Sequence, residues 1–394
     1  MSIEGARLDI PAVWHHDCLL HEPGGEVWLG LRESGTELPE RATVILRALT
    51  AAGAAVRPAE PHDPAALLAV HDRELVGHLA TIWADWEAGR YLADHGRDRV
   101  VPYVFPTGAM LAGLPLRQPA ATHAQVGRFC YDTMTLVGPG SWEAIRAAAD
   151  AANTAGLLVG SGQPAAYALC RPPGHHAGPG GYGGSCYLNN AAIAAQALRQ
   201  GGAGQVAIVD IDAHHGNGTQ AIFYERADVF YGSVHVDPGA GWFPHYMGFA
   251  DEEGNGAGRR ANRNVPLPPG SGDDCWLDAV GKLCGAVAAH GADAVVLSLG
   301  VDAAAADPES PLQVTADGYR AAGELIGALG PVAVIQEGGY DLASLGEYVL
   351  AALIGVQTGR KQAAVASSAE LASRPDAGPA PGASRLVPPG QAGL

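Results

Sequence analysis

Three polar residues spaced two apart, Asp210, Asp212 and His214, follow directly on the apolar run Val206–Val209. On an extended strand such residues project to one side, so two carboxylates and an imidazole converge at a strand end. Oxygen and nitrogen donors of this kind suit a divalent metal such as zinc or ferrous iron. Asp302, after the apolar run Ala294–Leu299, makes a third protein ligand beside Asp212 and His214. Three ligands leave a coordination position open for water and substrate, as at a catalytic rather than a structural zinc. Two imidazoles, His175 and His176, follow the run Ala165–Leu169, and the phenol of Tyr340 follows Val332–Ile335 through Gly338-Gly339. Metal, histidine pair and phenol are the parts needed for metal-assisted amide hydrolysis.

The elements that must position these residues alternate. Apolar runs at 165–169, 206–209, 229–236, 294–299 and 332–335 are separated by Ala-rich helical patterns at 191–199, 276–289, 316–328 and 345–355. Strands without polar alternation, interleaved with helices, predict a buried, mostly parallel sheet flanked by helices. Ligands of such sheets sit at the carboxyl ends of the strands, where nearly every polar motif here falls. The stretch 101–128 is rich in Pro, Gly, Ala and Leu without a clear period, and a loop of that length inside a compact domain is functional or covers an interface. Residues 361–394 are Ala-, Ser-, Pro- and Gly-rich and are expected to be disordered. One catalytic domain is therefore expected over residues 1–360.

Composition narrows the classes. The 394 residues carry 24 Lys+Arg against 41 Asp+Glu, a formal charge of −17, which argues against a nucleic-acid partner and is compatible with a cationic substrate. No run of eighteen apolar residues is present, so no membrane span is expected, and residues 1–11 lack the pattern of a signal peptide. Six scattered cysteines without a C-x-x-C pair fit reduced thiols in the cytoplasm.

Four motifs in order, Arg171-Pro172-Pro173-Gly174-His175-His176-Ala177, Asp210–Gly218, Gly300-Val301-Asp302 and Glu337-Gly338-Gly339-Tyr340, resemble the histone deacetylase superfamily, within the arginase–deacetylase fold. The likeness is nearest to bacterial acetylpolyamine amidohydrolases and class II-like deacetylases. Phe243-Pro244-His245-Tyr246-Met247-Gly248 is similar to the amidohydrolase branch, and Asn264–Gly270 to the deacetylase-like amidohydrolases. The resemblance implies zinc on Asp212, His214 and Asp302. It implies His176 as general base and then acid, His175 as an electrostatic partner held by Asp210, and Tyr340 as hydrogen-bond donor to the oxyanion. Asn217 stands where class I members carry a second Asp behind the outer histidine, so His176 should stay neutral. Asp210, Ser233 and Val234, with the backbone of Asp212 and His214, resemble the family's potassium site.

Substrate residues follow from the same resemblance. Glu309 falls where a mouth residue is expected, matching the acidic gatekeeper of an animal polyamine deacetylase, and Asp132 aligns with an acidic rim position. Gly184-Ser185-Cys186 replaces the family's Gly-aromatic-Cys, leaving Phe243 as the single aromatic wall of a wider slot. The 101–128 stretch resembles the insertion by which the amidohydrolases dimerise. The expected activity is zinc-dependent deacetylation of an acetylpolyamine or similar small cationic amide. Protein acetyl-lysine, a bulkier small-molecule amide and a non-catalytic metal-binding scaffold are the alternatives. A dimanganese ureohydrolase of the same fold would need further carboxylates beside the metal.

Overall fold

The computed structural model describes residues 7–94 and 96–373. Ten strands are present among them: β1 Ala12–Trp14, β2 Glu26–Trp28, β3 Leu31–Glu33, β4 Val56–Pro58, β5 Ala165–Ala168, β6 Val206–Asp210, β7 Val229–Val236, β8 Asn262–Leu267, β9 Ala294–Leu299 and β10 Val332–Gln336. Eight form one sheet in the order β4-β1-β5-β10-β9-β6-β7-β8, and every neighbouring pair is parallel. β2 and β3 form a separate antiparallel hairpin with Glu26 opposite Glu33.

The five expected strands are apolar on both faces because both faces are covered. Ile208, Val296 and Ile335 pack on one side, against the helices Ser141–Gly160 and Asn190–Gln200. Val209, Leu297 and Val334 pack on the other, against Asp273–His290, Ala316–Gly327 and Leu345–Ser373. The last two helices approach at backbone distance. A Cβ on Gly323 would lie 2.3 Å from the Ala352 carbonyl oxygen, and one on Gly355 2.1 Å from that of Arg320. Gly327 and Gly359 repeat the contact one turn along.

Two expectations change. The helix from Leu345 continues to Ser373, so residues 361–373 are helical rather than disordered; their Ala, Lys and Gln content favours helix once the preceding turns are anchored in the core. The remainder of that expected tail lies outside the described residues. Within 101–128 two helices appear, Gly108–Leu111 and the start of Thr122–Phe129, so the stretch is not a bare loop.

The chain runs β6-β7-β8 outward, then returns as β9 on the other side of β6. That reversal opens a crevice at the carboxyl ends of β6 and β9, the usual ligand position in open parallel sheets.

Candidate active site

Four adjacent central strands, β5, β10, β9 and β6, deliver the chemistry-bearing residues to one edge. Asp212, His214 and Asp302 meet there, with donor atoms all within 4.8 Å of one another. His214 Nδ1 lies 3.0 Å from Asp302 Oδ2 and 3.4 Å from Asp212 Oδ1. Its Nε2 faces the Glu309 carbonyl at 3.1 Å, which directs the Nδ1 lone pair toward the carboxylates. Asp212 is further fixed by the Gly338 N–H at 2.9 Å, and Asp302 by the Ala213 N–H at 2.8 Å.

These residues fit a divalent cation. Both carboxylates are buried. Burial and the neighbouring Asp212 charge push Asp302 upward, whereas at Asp212 His175 and His214 outweigh burial and hold the carboxyl down. Two buried carboxylates crowded around one imidazole lack positive charge that a metal would supply. The backbone around them leaves no alternative filling. A Cβ on Gly300 would stand 2.0 Å from Asp212 Oδ2, and one on Gly338 would stand 2.6 Å from both Asp212 and Asp302 oxygens.

The histidine pair comes together as expected. His175 Nδ1 is 3.0 Å from Asp210 Oδ2, and although burial opposes its charge, Asp212 and Asp210 push its pKa up to about 10. His176 Nδ1 is 2.7 Å from Asn217 Oδ1; burial, with His175 and His214 nearby, drives it well below the usual imidazole range. Phe243 meets His176 edge to face at 4.8 Å. Gly184 adopts φ +57°, and a Cβ there would lie 2.5 Å from the His176 ring and 2.9 Å from Phe243. Tyr340 lines the same cavity, about 450 Å³ in volume, with His176, His214, Ser185, Phe243 and Glu309.

Ser233 and Val234 are buried on β7, with Ser233 in register with Asp210 and its Oγ 2.7 Å from His235 Nδ1. Asp132 does not line the cavity that holds His176 and Tyr340, although it borders the neighbouring one. Its carboxylate is taken up by the N–H groups of Gly184 at 2.6 Å and of Met134 and Thr135 at 2.9 Å, so it ties down the Gly184–Ser185 turn. A short acidic side chain followed by a turn satisfies neighbouring N–H groups more readily than it reaches solvent.

Several residues of the site carry no earlier expectation. Glu37 and Arg41 form a buried ion pair at 2.7 Å. Arg41 also donates to the carbonyls of Gly339 and Glu337, both at 2.6 Å, and lies over the Tyr340 ring at 4.6 Å. Asp307 accepts from the N–H groups of Tyr340 at 2.6 Å and Glu309 at 3.1 Å. Glu337 accepts from the Gly174 and His175 N–H groups, joining β10 to the histidine pair. Glu26 and Glu33 of the hairpin line the cavity beside Glu309, and no Lys or Arg lines it. Burial, then Glu309 and Glu33, pushes Glu26 up to about 7. The β2–β3 hairpin itself had no signal, because its turn residue Leu29 at φ 47° is an unusual choice for that conformation.

A two-carboxylate, one-imidazole centre at the carboxyl edge of a parallel sheet, flanked by a histidine pair and a phenol, defines a metal-dependent hydrolase of the arginase–deacetylase fold. A family model of the histone deacetylase domain matches residues 36–356, and the chain belongs to that family, whose members are amide hydrolases with a catalytic metal. The acetylpolyamine amidohydrolase of Mycoplana ramosa is 39% identical over 352 residues, covering 87% of this chain and 98% of that one. The crystal structure of acetylpolyamine aminohydrolase from Burkholderia pseudomallei superposes with a TM-score of 0.82 at 38% identity, covering 89% of this chain and 99% of that chain. The HDA15 HD domain superposes with a TM-score of 0.70 at 28% identity, covering 93% and 99%. Among the described residues no helix is long and apolar enough to cross a membrane.

Proposed function

We propose that this chain is a zinc-dependent amidohydrolase that releases acetate from an acetylpolyamine or a similar small cationic amide. The observation that carries this reading is the cavity itself, lined by His176, His214 and Tyr340 together with Glu26, Glu33 and Glu309 and by no Lys or Arg. The acetylpolyamine amidohydrolase relatives, matched over nearly their whole length, support it.

Asp212, His214 and Asp302 hold zinc, with ferrous iron the runner-up. When bound, the metal supplies Lewis acidity that polarises the amide carbonyl and eases deprotonation of water. His176, neutral and with Nδ1 committed to Asn217, takes the proton of the attacking water at Nε2 and returns it to the departing amine nitrogen. His175 stays cationic beside Asp210 and contributes positive charge next to the reacting carbonyl. The Tyr340 hydroxyl donates to the developing oxyanion. Gly184, Ser185 and Phe243 flank the scissile amide, and Glu309 with Glu26 and Glu33 holds the distal ammonium. Asp210, Ser233 and Val234, with the backbone of Asp212 and His214, would hold a potassium ion.

A homodimer through the 101–128 segment is part of the proposal, supported by the exposed Tyr103, Met110, Leu114 and Leu116 on it. Six free cysteines support a reducing, cytoplasmic setting. Protein acetyl-lysine is the second reading, favoured by the likeness to the HDA15 HD domain.

Comparing kcat/KM for N-acetylputrescine, N-acetylspermidine and an acetyl-lysine peptide on the zinc-loaded chain tests the proposal. The small cations should lead by at least about ten-fold, the ratio expected for one fully engaged charge pair; a peptide preference refutes it. Chelation should abolish turnover, and added zinc should restore it.

A further inference from the structure

A second cavity of about 620 Å³ adjoins the first, and the two share Trp28, Met134, Phe243 and His245 as a common wall. Its other walls are mainly apolar, including Val27, Leu29, Phe105, Tyr246 and Met247, with Asp132 and Asn217 as its polar members. The first cavity, by contrast, is lined by the three glutamates Glu26, Glu33 and Glu309. An acidic cavity and a mainly apolar one therefore lie side by side, with Trp28, Met134, Phe243 and His245 between them, as the two arms of a fork.

What opens the fork is the small side chain at 185. Ser185 sits at φ 60° with its N–H held by Thr135 Oγ1 at 2.9 Å, beside the partition residue Met134. A large ring at 185 would fill part of the first cavity, which Ser185 and Met134 both line. Methionine is unbranched and yields readily, so the Met134 boundary can open for a guest. The far rim remains uncovered: Leu29 is 85% and Tyr246 89% exposed.

We infer that the substrate is an N-acetylated amine carrying an apolar or aromatic substituent besides its ammonium, the ammonium entering the acidic arm and the apolar group the second arm. This rests on the reading of the chain as an amidohydrolase of acetylated amines and narrows it. The occupant is substrate because the second cavity borders the reacting cavity across four shared residues.

The test uses the full zinc-loaded chain with N-acetylputrescine and its derivative bearing a benzyl group on the free amine. Burying one ring should lower KM by about ten-fold relative to the parent. Met247→Asp, at the far wall of the second cavity, should erase most of that KM ratio, and so should Ser185→Tyr. A ratio at or below one in the unaltered chain overturns the inference, as does a ratio that neither substitution moves. A ratio unmoved by Met247→Asp while that substitution converts a dimer to a monomer overturns it in favour of a second copy seated in the groove. Calorimetry separates this from the catalytic reading. If neither compound is hydrolysed, yet benzylputrescine binds about ten-fold tighter than putrescine and Met247→Asp cancels the difference, the amidohydrolase proposal fails and the forked pocket stands. Equal binding of the two diamines overturns the fork whatever the turnover.

Discussion

Asp307 links two parts of the site that would otherwise be independent. One carboxylate accepts from the Tyr340 N–H and the Glu309 N–H, so the phenol and the mouth acid are hung from the same group. Arg41 completes the mounting of Tyr340 from the opposite side, through the Gly339 carbonyl and the ring face. Tyr340→Phe keeps the mounting and removes only the hydroxyl. We expect kcat to fall by about 10²–10³-fold, the usual cost of losing one oxyanion donor, with circular dichroism unchanged. A second expectation concerns Glu26. Its pKa near 7 means it is neutral below that pH and a carboxylate above it. An ammonium is held by the carboxylate form, so KM for N-acetylputrescine should fall by about 2–5-fold as pH rises from 6 to 8, in keeping with a half-exposed ion pair. Glu26→Gln should flatten that dependence, and an uncharged acetamide should not show it. The metal and histidine residues were legible in the sequence because each closes an apolar strand. Asp307, Arg41 and Glu26 were not, because what defines them is a partner far along the chain: 33 residues separate Asp307 from Tyr340, and 298 separate Arg41 from Gly339.

At the scale of elements, the sheet was readable where its strands are buried on both faces and dark where they are short or at an edge. β1 and β4 have three residues each, too few for a periodic signal. β8 contains Asn262, Arg263, Asn264 and Pro266, a composition tolerated because it is the outer strand beyond β7. The helices Ala316–Gly327 and Leu345–Ser373 show a different dependence, on absent side chains. Gly323 and Gly327 face Gly355 and Gly359 with carbonyls where methyl groups would go. Gly355→Val should therefore destabilise the fold by about 1–3 kcal/mol or more, through forced helix separation, read as a lowered urea midpoint. Gly281→Ala, whose Cβ would meet nothing inside the helix Asp273–His290, should instead hold or raise the midpoint.

The whole molecule is an acidic body, with a formal charge of −17, and three of its glutamates line one cavity. Such a field draws cations toward the mouth and is screened by salt over about 8 Å at physiological ionic strength. Raising NaCl from about 50 to about 500 mM, one decade in ionic strength, should lower kcat/KM for N-acetylspermidine several-fold and leave a neutral acetamide nearly unaffected. Equal salt sensitivity of the two would show that the overall charge does not guide the substrate. Charge excess was plain from composition; its focus at the mouth was not, since it depends on a hairpin that the sequence did not announce.

The contacts around Gly300 and Gly338 have a bearing on descent. No side chain of any size can be added at either position without displacing a ligand carboxylate. The reacting centre is thereby closed to inherited variation, and the lineage can explore only what surrounds it. The side chains of Glu26, Glu33, Ser185 and Glu309, by contrast, face the open cavity, where a different side chain meets space rather than a ligand carboxylate. A scaffold divided in this way keeps its reaction fixed while its diet changes.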